Sequence, residues 1–248
     1  MKLPSSAFLV AILSANICLS QIIIEPLLNG VLPEDLEIIG PGANSVIFTS
    51  SGASFTGSGM TASAEGRAYI RTKNTDLLTN SFVAEITMNF AINQPSIAWY
   101  GIGANSVNSS FYNEPTGASM MIVPHTNTGG ELDGRIQYGD RSNSINQDGG
   151  IFHNASSLAY KMRLTWDIDT SFALFEVDTN YTGGEFIADT SKTIFGGDNG
   201  FNSTNSRLFF GGSDGVTFKD LSIVPEPSAF SLLAVGLGVV LRRRRRTV

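Results

Sequence analysis

Cysteine is almost absent from this chain: its 248 residues include one, Cys18, which lies in an apolar N-terminal segment. Removal of that segment would leave no cysteine, which excludes disulfides, zinc–thiolate sites and cysteine nucleophiles. Histidine is nearly as rare, with His125 and His153 only, and neither H-x-x-H nor H-E-x-x-H spacing indicates a zinc site. No Gly-x-Ser-x-Gly elbow followed by a helical pattern supports a serine–histidine–acid triad.

Basic residues are scarce once the two ends of the chain are set aside. Without Lys2 and the five arginines Arg242–Arg246, 10 basic residues remain, and without Glu226, 21 acidic ones, giving a net charge of −11. An acidic domain repels polyanions, so nucleic-acid binding is not expected.

The N-terminus has the layout of a secretory signal peptide. Lys2 supplies the positive start, Ala7–Leu13 is the apolar stretch, and small residues precede a cleavage point between Ser20 and Gln21. A lipoprotein signal is not indicated, because the bulky Ile17 precedes Cys18. We therefore expect export through the secretion translocon.

The C-terminus combines a proline-rich tetrapeptide, Val224–Pro227, an apolar run, Ser228–Leu241, and the basic block Arg242–Arg246. The prolines disfavour a regular helix or sheet ladder, and the arginines favour the cytoplasmic side of a membrane. As a helix the apolar run reaches about 21 Å, less than the roughly 30 Å core of a bilayer. A buried C-terminal helix and a nucleic-acid-binding basic tail are the alternatives.

In order and spacing, Val224–Thr247 resembles the PEP-CTERM sorting tail of exported bacterial proteins. The resemblance implies recognition and cleavage at Pro225, Glu226 and Pro227 by an exosortase. It also implies a transient anchor in the inner membrane, stopped by Arg242, Arg243, Arg244, Arg245 and Arg246. The mature protein would then reach the cell surface or the extracellular space.

Between the ends, short alternating apolar runs and frequent turn signals predict an all-β fold. The clearest strand is Ser81–Ile92, and the clearest hairpin is Ala159–Val177 with a turn at Asp167–Thr170. Further strands are predicted at Ser45–Thr49, Ile97–Ala104, Ala118–Pro124 and Gly134–Tyr138, and a closing strand pair at Arg207–Phe210 and Val216–Ile223.

Several of these strands, Tyr160–Asp167, Phe175–Asp178, Arg207–Gly212 and Val216–Ile223, resemble the late strands of concanavalin A-like (laminin G-like) jelly rolls. The fold that the resemblance implies is an antiparallel β-sandwich, flanked by a short N-terminal signal helix and a C-terminal apolar helix. The predicted domains are a signal peptide at 1–20, an irregular segment at 21–44, the jelly roll at 45–223 and the tail at 224–248.

A catalytic centre is not predicted. The laminarinase-like branch of the fold carries Glu-x-Asp-x-x-Glu, and the nearest segment has Glu131 and Asp133 but Ile136 in place of the second glutamate. We interpret this segment as a loop that follows a Gly-Gly turn.

Calcium is the one cofactor that the sequence suggests. The pairs Asp167-x-Asp169 and Asp178-x-Asn180 lie at strand ends, where closely spaced oxygens can bind a hard cation, and Asp198-Asn199 and Asp214 are further options. The alternative is ordinary turn chemistry, in which Asp bonds to its own backbone.

Aromatic residues are the candidate ligand contacts, because an exposed ring can stack on a sugar. Trp99, Tyr100 and Tyr112 lie near predicted strand ends or loops, whereas Trp166 alternates with core residues. Adjacent Trp99 and Tyr100 must point to opposite faces of a strand. Burial in the sandwich is the alternative.

The sequence thus predicts an exported, non-enzymatic surface or matrix protein whose β-sandwich contacts exopolysaccharide. A laminarinase-like glycoside hydrolase and a surface-adsorbing, ice-binding-like protein are the alternatives.

Overall fold

The structure is a computed structural model. It describes residues 23–40, 46–56, 68–74, 77–90, 98–104, 117–126, 132–139, 153–154, 159–195, 206–212 and 215–225. Several predictions lie outside these residues: the signal cleavage at Ser20 and Gln21, the tail from Glu226 onward with its basic block, and the individual residues Tyr112, Glu131, Asp198 and Asp214.

Fifteen strands and two 3-10 turns, at Leu27–Asn29 and Leu77–Thr79, make up the regular structure of the described residues. The strands are β1 Ile23–Pro26, β2 Leu36–Ile39, β3 Val46–Thr49, β4 Gly52–Phe55, β5 Ala68–Thr72, β6 Phe82–Phe90, β7 Ala98–Ala104, β8 Gly117–Thr126, β9 Leu132–Gly139, β10 His153–Asn154, β11 Ala159–Asp167, β12 Phe172–Asp178, β13 Thr190–Phe195, β14 Ser206–Gly212 and β15 Val216–Pro225.

The strands form two antiparallel sheets that pack into a sandwich. Sheet A has the order β13-β12-β11-β6-β15-β4-β3, with β1 also paired to β15. Sheet B has the order β10-β9-β8-β7-β14-β5-β2. The prediction of an all-β antiparallel sandwich is confirmed.

Strict alternation puts one face of each strand into the core. In β11, Tyr160, Met162, Leu164 and Trp166 are buried and the residues between them are partly exposed. Ile70 of β5, Tyr100 of β7 and Phe210 of β14 belong to the same core cluster and come from sheet B. The core therefore lies between the sheets, and the intervening residues of each strand form two outer faces.

A β-bulge keeps the last strand in phase with this core. The register of β15 against β6 shifts between Phe218 and Asp220. Without the extra residue, uninterrupted alternation after Phe218 would point Asp220 and Ser222 inward. With it, Leu221 and Ile223 are buried instead.

Residues 23–40, the described part of the segment 21–44, are more regular than the sequence indicates. Its prolines predicted an irregular path, but Ile23–Pro26 pairs with β15, and Leu36–Ile39 pairs with β5 at the edge of sheet B. The expectation fails because four-residue strands are too short to show a period. Prolines are also tolerated where a strand begins or ends.

The predicted closing strand pair is wrong in its pairing. β14 and β15 exist, but β14 lies between β7 and β5 in sheet B, whereas β15 lies between β6 and β4 in sheet A. The glycine-rich link between them therefore crosses from one sheet to the other. A local pattern of two strands around glycines cannot distinguish a hairpin from such a crossing.

The first proline of the predicted processing motif belongs to the sheet. Pro225 is the last residue of β15 and lies opposite Phe82 of β6. The expectation that this residue would stand outside the sheet ladder is therefore wrong, and β15 extends two residues beyond the predicted domain end at Ile223. A strand terminus accepts proline because few ladder hydrogen bonds are lost there.

Candidate functional site

The two described aromatic candidates, Trp99 and Tyr100, are both buried. Tyr100 points into the core, is 0% exposed, and burial raises the pKa of its hydroxyl well above the usual value, with the Glu85 charge adding to the effect. Trp99 lies on the opposite face of β7 but is only 3% exposed. The prediction that these rings stack on a ligand is therefore wrong for the structure as it stands, because neither offers an open face.

Trp99 instead marks the floor of an aromatic cluster on the outer face of sheet B. Its ring lies 5.4 Å from that of Tyr69, and the Tyr69 and Phe209 rings lie 6.2 Å apart, edge to face. Tyr69 and Phe209 are partly exposed. We call Tyr69, Trp99 and Phe209 the aromatic cluster.

Gly211 makes room for this arrangement. It lies between Tyr69 and Trp99 in the sheet register, and a Cβ atom there would stand 2.3 Å from Trp99 Nε1 and 2.6 Å from the Ala68 carbonyl oxygen. Both distances are far below van der Waals contact. Only glycine lets the indole ring lie across the strand at this point.

A charged group lies beside the aromatic cluster on the same face. Glu37 Oε1 accepts a hydrogen bond from Arg71 Nε at 2.7 Å and another from Arg207 Nη1 at 2.8 Å. Arg207 Nη1 also donates to the Thr72 carbonyl oxygen at 2.9 Å. We call Glu37, Arg71 and Arg207 the arginine group; their side chains are 33%, 11% and 15% exposed.

The two guanidinium groups influence each other. Burial lowers the pKa of Arg207, the nearby charge of Arg71 lowers it further, and Glu37 opposes both. The net direction is downward, so the single shared carboxylate oxygen does not fully compensate the cost of holding Arg207 charged at this place.

The register explains why aromatic and basic side chains alternate here. β5 presents Tyr69 and Arg71 outward, β14 presents Arg207 and Phe209, and the pairing sets Phe209 opposite Arg71. On the other side of β14, Phe209 faces Gly101 and Arg207 faces Gly103. The positions of β7 directly opposite Phe209 and Arg207 are therefore glycines without a side chain.

The outer face of sheet A carries a second charged group. Glu85 accepts hydrogen bonds from Lys161 and Arg163, each at 2.7 Å, and Arg163 Nη1 lies 3.8 Å from Glu176 Oε2. Burial acts to raise the pKa of Glu85, but the hydrogen bonds and charges of Lys161 and Arg163 hold it below its ordinary value.

The link between β12 and β13, residues 179–189, covers this second group. Lys161 Nζ lies 5.1 Å from the centre of the Tyr181 ring, and Arg163 Cζ lies 3.8 Å from that of Phe186. These are cation–π distances. Both cations therefore have a carboxylate on one side and a ring on the other.

The predicted calcium residues serve the backbone of their own turns. Asp167 accepts from the Asp169 amide at 2.9 Å and from Thr170 Oγ1 at 2.7 Å, and the Thr170 bond is the main cause of a lowered Asp167 pKa. Asp178 accepts from the amides of Asn180 and Ile187, each at 3.1 Å.

Asp167 and Asp178 also lie at opposite ends of the β11–β12 hairpin, since Asp167 pairs with Phe172 and Asp178 with Lys161. Six residues of strand separate the ends, about 20 Å at 3.3 Å per residue. The three acidic residues Asp167, Asp169 and Asp178 therefore cannot share one ion. Among the described residues, no group of three or more His, Cys, Asp or Glu side chains is close enough to hold a metal.

Of the two carboxylates considered for hydrolysis, Glu131 lies outside the described residues, and Asp133 lies far from Glu37 of the arginine group. Asp133 lies within β9, opposite His125 of β8, so the interpretation of this segment as a loop is wrong at Asp133. Five strand spacings separate β9 from β2, which carries Glu37. At about 4.8 Å per strand this is about 24 Å, far beyond the roughly 5 to 9.5 Å between the carboxylates of a glycosidase.

None of the helical segments in the described part of the chain has the length and apolar character needed to cross a bilayer.

Comparison with protein-family models gives no match, and comparison with curated proteins gives none either. Solved structures do match. Lectin I-B4 of Griffonia simplicifolia in its metal-free form aligns with a TM-score of 0.55 at 11% identity, over 84% of this chain and 100% of that one. The exoplasmic domain of VIP36, bound to Ca²⁺ and Man3GlcNAc, aligns at 0.53 and 10% identity, over 79% and 90%.

A xylan β-1,4-xylosidase of Bacillus halodurans aligns at a TM-score of 0.57 and 10% identity, over 82% of this chain but only 39% of the enzyme. Identities this low indicate a shared fold and nothing finer. The prediction of an antiparallel β-sandwich of the jelly-roll type is confirmed, and the solved structures that share this fold include lectins and a xylosidase.

Proposed function

We propose that this domain is a non-catalytic carbohydrate-binding module whose binding surface is the outer face of sheet B. The observation that carries the proposal is the aromatic cluster next to the arginine group. Tyr69 and Phe209 offer partly exposed rings, and charged side chains stand beside them. Aromatic surfaces with a few placed polar groups are the usual composition of a small-ligand site.

The structural neighbours support this class of ligand. VIP36 was solved with an oligosaccharide bound, and lectin I-B4 is a lectin by name. The xylosidase neighbour is an enzyme and so fits the hydrolase alternative, but the alignment covers only 39% of that enzyme. The strands that carry Glu37 and Asp133 lie too far apart in sheet B for these two residues to act as a glycosidase pair.

The binding experiment uses the full chain and a panel of soluble glycans, including exopolysaccharide from the source cells, in isothermal titration calorimetry. We expect Tyr69→Ala and Phe209→Ala each to weaken binding about fivefold to tenfold, which corresponds to about 1 kcal/mol for one aromatic contact. Tyr181→Ala and Phe186→Ala on sheet A serve as matched controls and should bind normally. Loss of binding in the controls alone would move the site to the other face.

Calcium stays a prediction, because the VIP36 structure holds Ca²⁺ and the lectin I-B4 structure is metal free. Asp167, Asp169 and Asp178 do not fit a shared ion in this fold. Titrations repeated with added calcium and with EDTA test the point directly. Equal affinity in both would remove calcium from the account, and affinity lost in EDTA would require ligands other than these three together.

We further propose export and surface delivery, with transient anchoring in the inner membrane and processing by an exosortase at Pro225–Pro227. The support is the sequence of the two ends of the chain. The intact mass of the protein isolated from its own cells should correspond to a chain without Met1–Ser20 and without Arg242–Arg246. A full-length species as the sole mature form would contradict processing.

A further inference from the structure

The arginine group identifies a chemical class of glycan, an inference that rests on the carbohydrate-binding function proposed above. Two guanidinium groups, Arg71 from β5 and Arg207 from β14, converge on one oxygen atom of Glu37. Guanidinium groups bind carboxylates in pairs of parallel hydrogen bonds, which makes them suited to acidic sugars.

The electrostatics of Arg207 favour an additional anion. Its side chain is mostly buried, and its positive charge is repelled by that of Arg71. Both arginines share a single acceptor, Glu37 Oε1. Its Nε atom has no hydrogen-bond partner within the described residues, but this atom is buried and is not itself a contact for a ligand. A second carboxylate near this guanidinium would supply the negative charge that Glu37 shares between two cations.

The aromatic cluster lies at the right distance to hold the sugar that carries such a group. Phe209 is two residues from Arg207 on β14, and Tyr69 is two residues from Arg71 on β5. Two residues along a strand span about 6.6 Å, close to the width of one pyranose ring. A ring stacked on Phe209 therefore places its own or its neighbour's substituents beside the arginines.

We propose that the outer face of sheet B binds glycans that contain uronic acids, with the sugar ring against Tyr69 and Phe209 and its carboxylate beside Arg71 and Arg207. The domain as a whole is acidic, so unspecific attraction of polyanions does not provide the binding. The specificity comes from this local pair of cations, and Glu37 occupies them when no ligand is bound.

The test compares polygalacturonate with the same polymer after chemical reduction of its carboxylates to hydroxymethyl groups, in EDTA, by calorimetry with the full chain. We expect at least tenfold tighter binding of the acidic form. Arg207→Gln should remove most of that difference, at least tenfold, because charge-assisted hydrogen bonds are lost, and should leave the reduced polymer unaffected. Arg163→Gln on sheet A is the matched control and should bind as the wild type does.

Glu37→Gln provides a readout that a purely structural role of the arginines would not give. Removing the internal competitor should tighten binding of polygalacturonate by a few fold, with no change for the reduced polymer. If Arg207→Gln fails to fold, Arg71→Lys, which keeps the charge and loses the planar fork, should weaken the acidic polymer severalfold.

The outcomes separate this inference from the function on which it rests. The wild type could bind both polymers with equal affinity, and Tyr69→Ala could lose the binding of both. That result would overturn the acidic specificity and leave carbohydrate binding in place. An acidic preference that Arg207→Gln and Arg71→Lys both retain would also overturn it. Absence of binding to both polymers and to the whole glycan panel would overturn both proposals.

Discussion

Two charged groups lie on opposite sides of this sandwich, one on the outer face of each sheet. On sheet A, Glu85 binds Lys161 and Arg163, and residues 179–189 fold over them with Tyr181 and Phe186. On sheet B, Glu37 Oε1 is shared by Arg71 and Arg207, and the aromatic cluster lies beside the pair.

The same residue types, a glutamate, two cations and neighbouring aromatic rings, are arranged differently on the two faces. On sheet A the rings of Tyr181 and Phe186 lie over the two cations, whose side chains are 18% and 29% exposed. On sheet B the partly exposed rings of Tyr69 and Phe209 stand next to the arginines, and in the proposed binding mode a ligand contacts ring and charge together. The two faces therefore differ in where the rings lie relative to the charges, and the proposal assigns glycan binding to sheet B.

The largest expected effect comes from breaking the floor of the sheet B surface. Gly211→Ala places a methyl group against Trp99 Nε1 and the Ala68 carbonyl oxygen, so the indole ring or the strand must move. We expect a loss of about 3 kcal/mol in the free energy of unfolding, measured by urea denaturation, together with weaker glycan binding. Gly184→Ala, where a Cβ atom meets nothing within 4 Å, is the control and should change little.

The next effect concerns the cover of sheet A. Asp178 is 5% exposed and accepts the amides of Asn180 and Ile187, so Asp178→Ala removes two anchors of residues 179–189. We expect a cost of about 2 kcal/mol and faster proteolysis within that segment, with glycan affinity unchanged. A large loss of glycan binding in this variant would show that the cover belongs to the binding surface.

A smaller effect, with a definite pH dependence, follows from Glu85. Because its pKa is lowered in the folded state, its contribution is present above the ordinary pKa of about 4.5 and is lost as the pH falls through the folded value. We expect Glu85→Gln to cost about 1 kcal/mol at pH 7. The difference from the wild type should shrink below pH 4.5 in denaturation curves, and a constant difference down to pH 3 would contradict the assignment.

The smallest effect is expected at the exposed hairpin turn. Asp167→Asn keeps an oxygen that can accept the hydrogen bond from the Asp169 amide. It removes the charged oxygen that accepts the hydrogen bond from the Thr170 hydroxyl. We expect only a slight decrease of Tm and the same Tm with added calcium as with EDTA. A calcium-dependent Tm in the wild type that disappears in this variant would restore the metal site that the sequence suggested.

The sequence predicted well those parts of the fold that depend on alternation within one strand. The pattern of β6 and the β11–β12 hairpin around Asp167 is regular, because each strand has one face in the core. The pairing of β14 with β15 could not be predicted in the same way. Which sheet a strand joins depends on contacts far along the chain.

The candidate site could not be predicted from the sequence for the same reason, because its residues are far apart along the chain. Glu37 and Arg207 are 170 residues apart, and only the sheet order β7-β14-β5-β2 brings them together. The single local signal is the alternation of an aromatic residue and arginine, Tyr69 with Arg71 and Arg207 with Phe209. Trp99 and Tyr100 are adjacent aromatics in the sequence, but both are buried and neither offers an open face.

The central claim is that glycan binds to the outer face of sheet B, and hydroxyl-radical footprinting with mass spectrometry tests it most directly. The full chain is oxidised with and without a saturating glycan, and the reactivity of four aromatic residues is compared. The account predicts that Tyr69 and Phe209 become protected while Tyr181 and Phe186 react as before. Protection of Tyr181 and Phe186 with Tyr69 and Phe209 unchanged would contradict it.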